Sequence, residues 1–188
     1  MNHTTAIPRA VGVIGLGAMG AGMAQSLRRA GHHVHVHDIR PETAAAFAAE
    51  GGTACATLAD MAAACRIIVS VVVNARQTEA VLFGEGGIAP ALQPGSVFVM
   101  CSTVDPNWSV ALEARLQAQG VHYIDAPISG GAAKAASGQM TMMTAARPEA
   151  YAACEGVLDA MAAKVYRLGD SAGAGSKVKI INQLLAGV

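Results

Sequence analysis

Three groups of residues in this 188-residue chain have the types and spacing to do chemistry. The first is the turn Gly15-Leu16-Gly17-Ala18-Met19-Gly20, which directly follows the apolar run 11–14. Gly15 would allow a tight turn, Gly17 would remove a side chain where a pyrophosphate approaches the backbone, and Gly20 would let a helix pack closely on the strand. That helix would offer free N–H groups and the positive end of its dipole to phosphates. Asp38 follows about 20 residues on, at the end of a second apolar run, where a carboxylate accepts hydrogen bonds from the hydroxyls of an adenine ribose. It would repel a 2′-phosphate, so the pair predicts NAD over NADP; Arg40 is the nearby residue that could receive such a phosphate. The bland alternative is a strand–glycine–helix connection with a surface Asp, and the strand before the turn and the helix after it argue against that.

The second group is Asp125-Ala126-Pro127-Ile128-Ser129-Gly130-Gly131. Ser129 supplies a hydroxyl, and Gly130 and Gly131 expose backbone N–H groups, a combination that could bind a carboxylate. An ordinary flexible loop is the competing reading. The third group is Lys179, Asn182 and Gln183 near the start of a helix. Their i, i+3, i+4 spacing puts them on one face, where a lysine and two amides could bind and protonate an oxygen. Lys177 falls on another face and reads as solvated.

Other reactive residue types carry less. His33, His35 and His37 alternate along one strand and share a face. Metal sites usually gather ligands from more than one element, so no metal is expected. The four cysteines, Cys55, Cys65, Cys101 and Cys154, show no C-x-x-C spacing and read as reduced, mostly buried thiols of a cytosolic protein.

The elements that must position these groups alternate. Strands are predicted at 11–15, 33–38, 67–73, 96–101, 121–125, 139–144 and 165–168, and helices at 20–30 and 41–50 among Ala-rich stretches. Short apolar strands alternating with helices imply βαβ units and a mostly parallel sheet covered on both faces. With the glycine turn, that is a Rossmann-type, doubly wound α/β fold. A new helix is predicted from near Ser176, with Val178, Ile181, Leu185 and Val188 along one side and Ile180 and Leu184 beside them, a wide apolar stripe.

Composition excludes some functions. The formal net charge is zero, and without a Lys/Arg run there is no electrostatic footprint for nucleic acid. Residues 1–9 do not read as a signal peptide, and no uncharged apolar run reaches membrane-spanning length. With 53% apolar and only 14% charged residues, part of the surface is expected to be covered by a partner subunit or a further segment.

Taken in this order, the three signatures resemble the β-hydroxyacid dehydrogenase family, which includes 3-hydroxyisobutyrate dehydrogenases and tartronate semialdehyde reductases. The stretches at 73–79, 130–136 and 176–187 are most similar to its L-threonate-oxidising branch. The resemblance implies an NAD-dependent enzyme that transfers hydride from a small hydroxy acid, L-threonate first, with 3-hydroxyisobutyrate or a tartronate-type acid next. It implies Lys179 as catalytic acid/base, and Ser129, Gly130 and Gly131 as the substrate-carboxylate loop. Asn182 and Gln183 would be further substrate contacts, although many members carry a second asparagine where Gln183 stands. Thr103 would lie near the nicotinamide ribose, and Val72, Val73, Asn74 and Gln77 would line the cofactor. It also implies a cytoplasmic homo-oligomer. Residues 1–172 would form the NAD-binding domain and 173–188 the start of a long interdomain helix, with an all-helical C-terminal domain beyond. An isolated cofactor-binding module without turnover is the alternative; imine-reducing relatives usually lack this lysine.

Overall fold

The computed structural model describes residues 8–186; residues 1–7 and the predicted stripe position Val188 lie outside them. The chain runs β1 (Ala10–Ile14), α1 (Gly20–Arg29), β2 (His33–His37), α2 (Pro41–Ala49), β3 (Thr53–Ala54), α3 (Leu58–Ala64), β4 (Ile67–Ser70), α4 (Ala75–Phe83), β5 (Val97–Met100), α5 (Pro106–Gln117) and β6 (His122–Asp125). These six strands form one sheet in the order β3-β2-β1-β4-β5-β6, with every pairing parallel. That is the strand order of the doubly wound dinucleotide fold, and it reverses between β1 and β4.

Burial explains why these segments are strands. All four residues of β4 and of β5 are buried, as a parallel sheet sandwiched between helices demands. In β1, Val11 and Val13 face a core shared with Met23 and Leu27 of α1, while Ile14 faces the opposite core with Met61, Leu82 and Leu112. Along β2, Val34 and Val36 are buried and His33 is exposed. His35 and His37 look toward Cys55 instead, His35 Nδ1 lying 3.9 Å from its thiol and His37 Nδ1 3.0 Å from its carbonyl oxygen. The four cysteines are free and buried, and burial pushes the thiols of Cys65, Cys101 and Cys154 up to about 12.

After β6 the chain adds β7 (Ile128–Ser129), α6 (Gly131–Ser137), β8 (Met140–Thr144), α7 (Pro148–Ala153), α8 (Val157–Met161), β9 (Ala162–Arg167) and α9 (Ala174–Ala186). The last three strands form their own sheet, β7-β8-β9, in which β7 runs antiparallel to β8 and β9 parallel to it. Periodicity placed β8 and β9 here, but it read 128–129 as loop rather than β7 and did not reveal that these strands leave the main sheet. Among the described residues, one isolated bridge links the two sheets, in which the N–H and C=O of Asp125 pair with those of Ala145, at 3.1 and 2.9 Å. The predicted strand 67–73 stops at Ser70: Val71 N–H still donates to Ile14 C=O, and the chain then turns off the sheet.

Among the described residues, no helix is long and apolar enough to cross a membrane. Phe98 is fully buried in the core beneath α3, α4 and α5. Phe98→Ala is expected to lower stability by about 3–5 kcal/mol, read as a reduced midpoint in urea unfolding with little change in slope.

Candidate functional site

A cleft of about 620 Å3 opens at the carboxyl ends of β1, β2 and β4, where the strand order reverses. Open α/β sheets bind ligands at that position. Six of the residues expected to bind the cofactor line it: Gly15, Gly17, Asp38, Val72, Val73 and Gln77.

The glycine turn has separable steric reasons. Gly15 has φ +88°, a left-handed conformation that favours glycine, and a Cβ there would press on the Val71 carbonyl. A Cβ on Gly20 would land on the carbonyl oxygen of Gly15, so that glycine closes the turn on itself. The expected contact for Gly20 was the preceding strand; its closest contact is the turn carbonyl instead. At Gly17 a Cβ would meet nothing within 4 Å. The protein does not require glycine at Gly17, so the open space there fits a ligand approaching the backbone. Among the described residues, the amides of Gly17, Ala18 and Met19 have no backbone acceptor, and all three sit at the entrance to α1. Leu16 differs: its side chain is buried in the core and its N–H donates to Asp38 Oδ2 at 2.6 Å.

Asp38 is therefore tied to the turn before any ligand arrives. Its Oδ1 accepts from Arg40 N–H at 2.9 Å and from Arg40 Nε at 3.3 Å. Burial pushes this carboxyl's pKa up, but the hydrogen bonds from Leu16 and Arg40 outweigh it and hold the pKa below the ordinary value. Asp38 is thus a preorganised anion at the rim of the cleft. A carboxylate oxygen offers about two acceptor sites, so Oδ2 keeps one for a hydroxyl and Oδ1 gains one only if Arg40 swings away.

The loop after β4 is braced by side-chain hydrogen bonds. Asn74 Oδ1 accepts from Gln77 N–H at 3.0 Å, capping α4, and Gln77 Oε1 accepts from Val73 N–H at 2.8 Å. The buried Ser102 hydroxyl donates to the Val72 carbonyl at 2.7 Å. Thr103 follows it and is half-buried. Val73 stays 76% exposed and Ile39, just after Asp38, 92% exposed, two apolar side chains at the cleft mouth. Sequence reading passed over Ile39, although an apolar residue beyond a strand-ending acid has no place in the helical or strand period.

The other two groups do not line this cleft. Ser129 is half-buried at the end of β7, paired with Thr141, and Gly130 (φ +143°) and Gly131 (φ +79°) turn the chain into α6. Lys179 lies on the inner face of α9, only 8% exposed, and burial lowers its pKa below that of an ordinary lysine. Asn182 and Gln183 are exposed, so the structure does not gather them with Lys179 in an enclosed site. The apolar residues Val178, Ile181, Leu184 and Leu185 of α9 are exposed as well, while Gly175, Ser176 and Lys179 are its buried positions.

At the start of that helix stands Asp125, which sequence reading quoted without giving it a task. Its Oδ2 accepts from the N–H groups of Gly173 and Ser176, each at 2.9 Å, and its Oδ1 from the Ser176 hydroxyl at 2.6 Å. Burial raises the pKa of Asp125 despite these bonds. Glu113 of α5 adds a neighbouring contact, its Oε2 accepting from Ala172 N–H at 3.2 Å.

A switch-point cleft, a glycine turn with one open position and a fixed carboxylate at the end of β2 define a dinucleotide-binding Rossmann domain. Residues 10–169 match the family described as the NAD binding domain of 6-phosphogluconate dehydrogenase, and the chain belongs to that family. It is 59% identical over 180 residues to an L-threonate dehydrogenase of Cupriavidus necator, covering 96% of this chain and 61% of that protein. It is 45% identical to an L-threonate dehydrogenase of Pectobacterium atrosepticum, covering 95% of this chain and 59% of that protein. A crystal structure of 3-hydroxyisobutyrate dehydrogenase from Salmonella typhimurium superposes with TM-score 0.91 at 43% identity, over 95% of this chain and 62% of that one. The chain thus spans about three fifths of the length of these relatives.

Asp38→Ala is expected to weaken NAD binding by about 10- to 100-fold, the worth of one or two charge-assisted hydrogen bonds, with NADP affected less. Calorimetric titration with both nucleotides checks this, and an unchanged preference would remove Asp38 from cofactor selection.

Proposed function

We propose that the complete protein oxidises the hydroxyl of a small hydroxy acid with NAD, and that L-threonate is its substrate. The observation that carries this reading is Lys179, a lysine with a depressed pKa buried on the helix that follows the dinucleotide fold. The names of the relatives at 59% and 45% identity support L-threonate over 3-hydroxyisobutyrate or a tartronate-type acid.

The roles divide along the chain. Residues 1–172 serve as the NAD-binding domain, and 173–188 open an interdomain helix. The backbone from Gly15 to Gly20, including the amides of Ala18 and Met19, takes the pyrophosphate, and Asp38 takes the adenine ribose. Val72, Val73, Asn74 and Gln77 form one wall, and Thr103 stands toward the nicotinamide ribose. Ser129, Gly130 and Gly131 receive the substrate carboxylate, with Asn182 and Gln183 completing the substrate's surroundings.

Bound NAD supplies the hydride acceptor, which is chemistry that no side chain provides. The chain's own task is the proton. Lys179 Nζ takes the proton of the reacting hydroxyl in oxidation and returns it in the reverse direction. Only the neutral amine can do the former. A lysine whose pKa is lowered by burial holds more neutral amine at a given pH than a solvated one. Oxidation should therefore rise with pH and level off once Lys179 is deprotonated, at a lower pH than an ordinary lysine would give.

The exposed apolar side of α9 is consistent with a further helical domain packing there and with a homo-oligomer, and cytoplasmic metabolism is the fitting setting. Lys179→Ala in the complete gene product is expected to lower kcat for L-threonate by about 10²- to 10⁴-fold while NAD binding persists. Initial rates and nucleotide titration on the same sample check this; normal turnover would refute the assignment. Nucleotide binding without turnover of any hydroxy acid by the unaltered protein would instead identify a binding module.

A further inference from the structure

We propose that Asp125 is a positioning residue for Lys179: its carboxylate fixes the first turn of α9 against the end of β6 and so sets where the lysine amine sits. The inference rests on the reading of Lys179 given above.

The argument begins with what holds α9 in place. Apolar burial contributes little, because Val178, Ile181, Leu184 and Leu185 are exposed, Ala174 and Ile180 are only half-buried, and the inner positions are Gly175, Ser176 and Lys179. The inner side instead makes the three hydrogen bonds to Asp125, from Gly173 N–H, Ser176 N–H and the Ser176 hydroxyl. Asp125 is itself fully buried and pinned by its own backbone, since it pairs with Met100 in β5 and bridges to Ala145.

Gly175 makes the approach possible. A Cβ there would collide with the Met143 carbonyl and come within 2.9 Å of the Asp125 carbonyl. Lys179 lies one turn beyond Ser176 on the same buried side. The rise along a helix is fixed at about 1.5 Å per residue, so the register of Ser176 on Asp125 dictates the position of the Lys179 backbone. Glycine, serine and aspartate at these positions thus form one joint whose other end is the lysine.

The joint acts through geometry rather than charge, and this separates the informative variants. In Asp125→Asn the amide oxygen can accept both backbone N–H groups, and the amide NH2 can donate to the Ser176 hydroxyl. In Asp125→Ala all three bonds go. Ser176→Ala removes one and is the milder test should Asp125→Ala fail to fold.

The experiment is done on the complete gene product. Its lysines are reductively methylated with 13C-formaldehyde, and the Lys179 signal is assigned by comparison with Lys179→Arg and titrated with pH by NMR. In parallel, kcat and the KM for NAD are measured with L-threonate. For Asp125→Ala the Lys179 midpoint should move up toward an ordinary lysine, and kcat should fall on the order of 10²-fold, the effect of misplacing a reacting group by about 1 Å, with the KM for NAD within about threefold. Ser176→Ala should move both quantities the same way by less, and Asp125→Asn should restore both. An unmoved midpoint with full kcat in Asp125→Ala, or in Ser176→Ala where only that variant folds, overturns the proposal. Asp125→Asn behaving like Asp125→Ala overturns the geometric mechanism. If the unaltered protein oxidises no hydroxy acid, the functional reading fails, and the titration midpoints still decide the joint on their own.

Discussion

One buried carboxylate, Asp125, is the point at which the parallel sheet, the second sheet and helix α9 meet. Its backbone belongs to β6 and bridges to Ala145, and its side chain receives three donors from the start of α9. Charge-assisted bonds of this kind contribute about 1.5–3 kcal/mol each when desolvated. Burying an acid has a large cost, and the cost is met here because the donors are already arranged by the first turn of a helix. Without such an acceptor, these donors would be buried without partners.

A comparable arrangement stands at the other side of the fold. Asp38 receives the N–H of Leu16 and two donors from Arg40, so the glycine turn and the end of β2 hold one another in place. The two acids differ in their access to solvent. Asp38 borders an open cleft and its pKa is lowered; Asp125 is sealed and its pKa is raised, burial being the largest influence on it. The same residue type thereby stands at an open cleft in one place and at an internal joint in the other.

The parts of this molecule that were legible in the sequence are those governed by local pattern. Strand periodicity, the glycine spacing and the acid at the end of β2 each depend on neighbours in the chain, and all appear at or within a few residues of their expected positions. The separation of β7, β8 and β9 into a second sheet depends on pairing between distant segments, which periodicity does not encode. The early end of β4 at Ser70 was hidden because Val71, Val72 and Val73 continue the β-branched run after the hydrogen-bond partners have gone. The stripe on α9 was read correctly as apolar, yet the inner face is the small and polar one, whose Ser176 is bonded to Asp125. Asp125 escaped notice because its partners lie about 50 residues away, and no spacing rule links an acid to a helix start at that distance.

The strand order itself has a metric consequence. Asp38 follows β2, Asp125 ends β6, and three strands, β1, β4 and β5, lie between them. At about 4.8 Å per strand step, the sheet holds the two acids roughly 19 Å apart along its width. A hydrogen-bonded sheet neither stretches nor compresses appreciably, so it works as a ruler. The acid at the rim of the cleft and the acid at the start of α9 are set apart by the count of strands alone. Substitutions at either end can then alter what is gripped without altering the span between the grips.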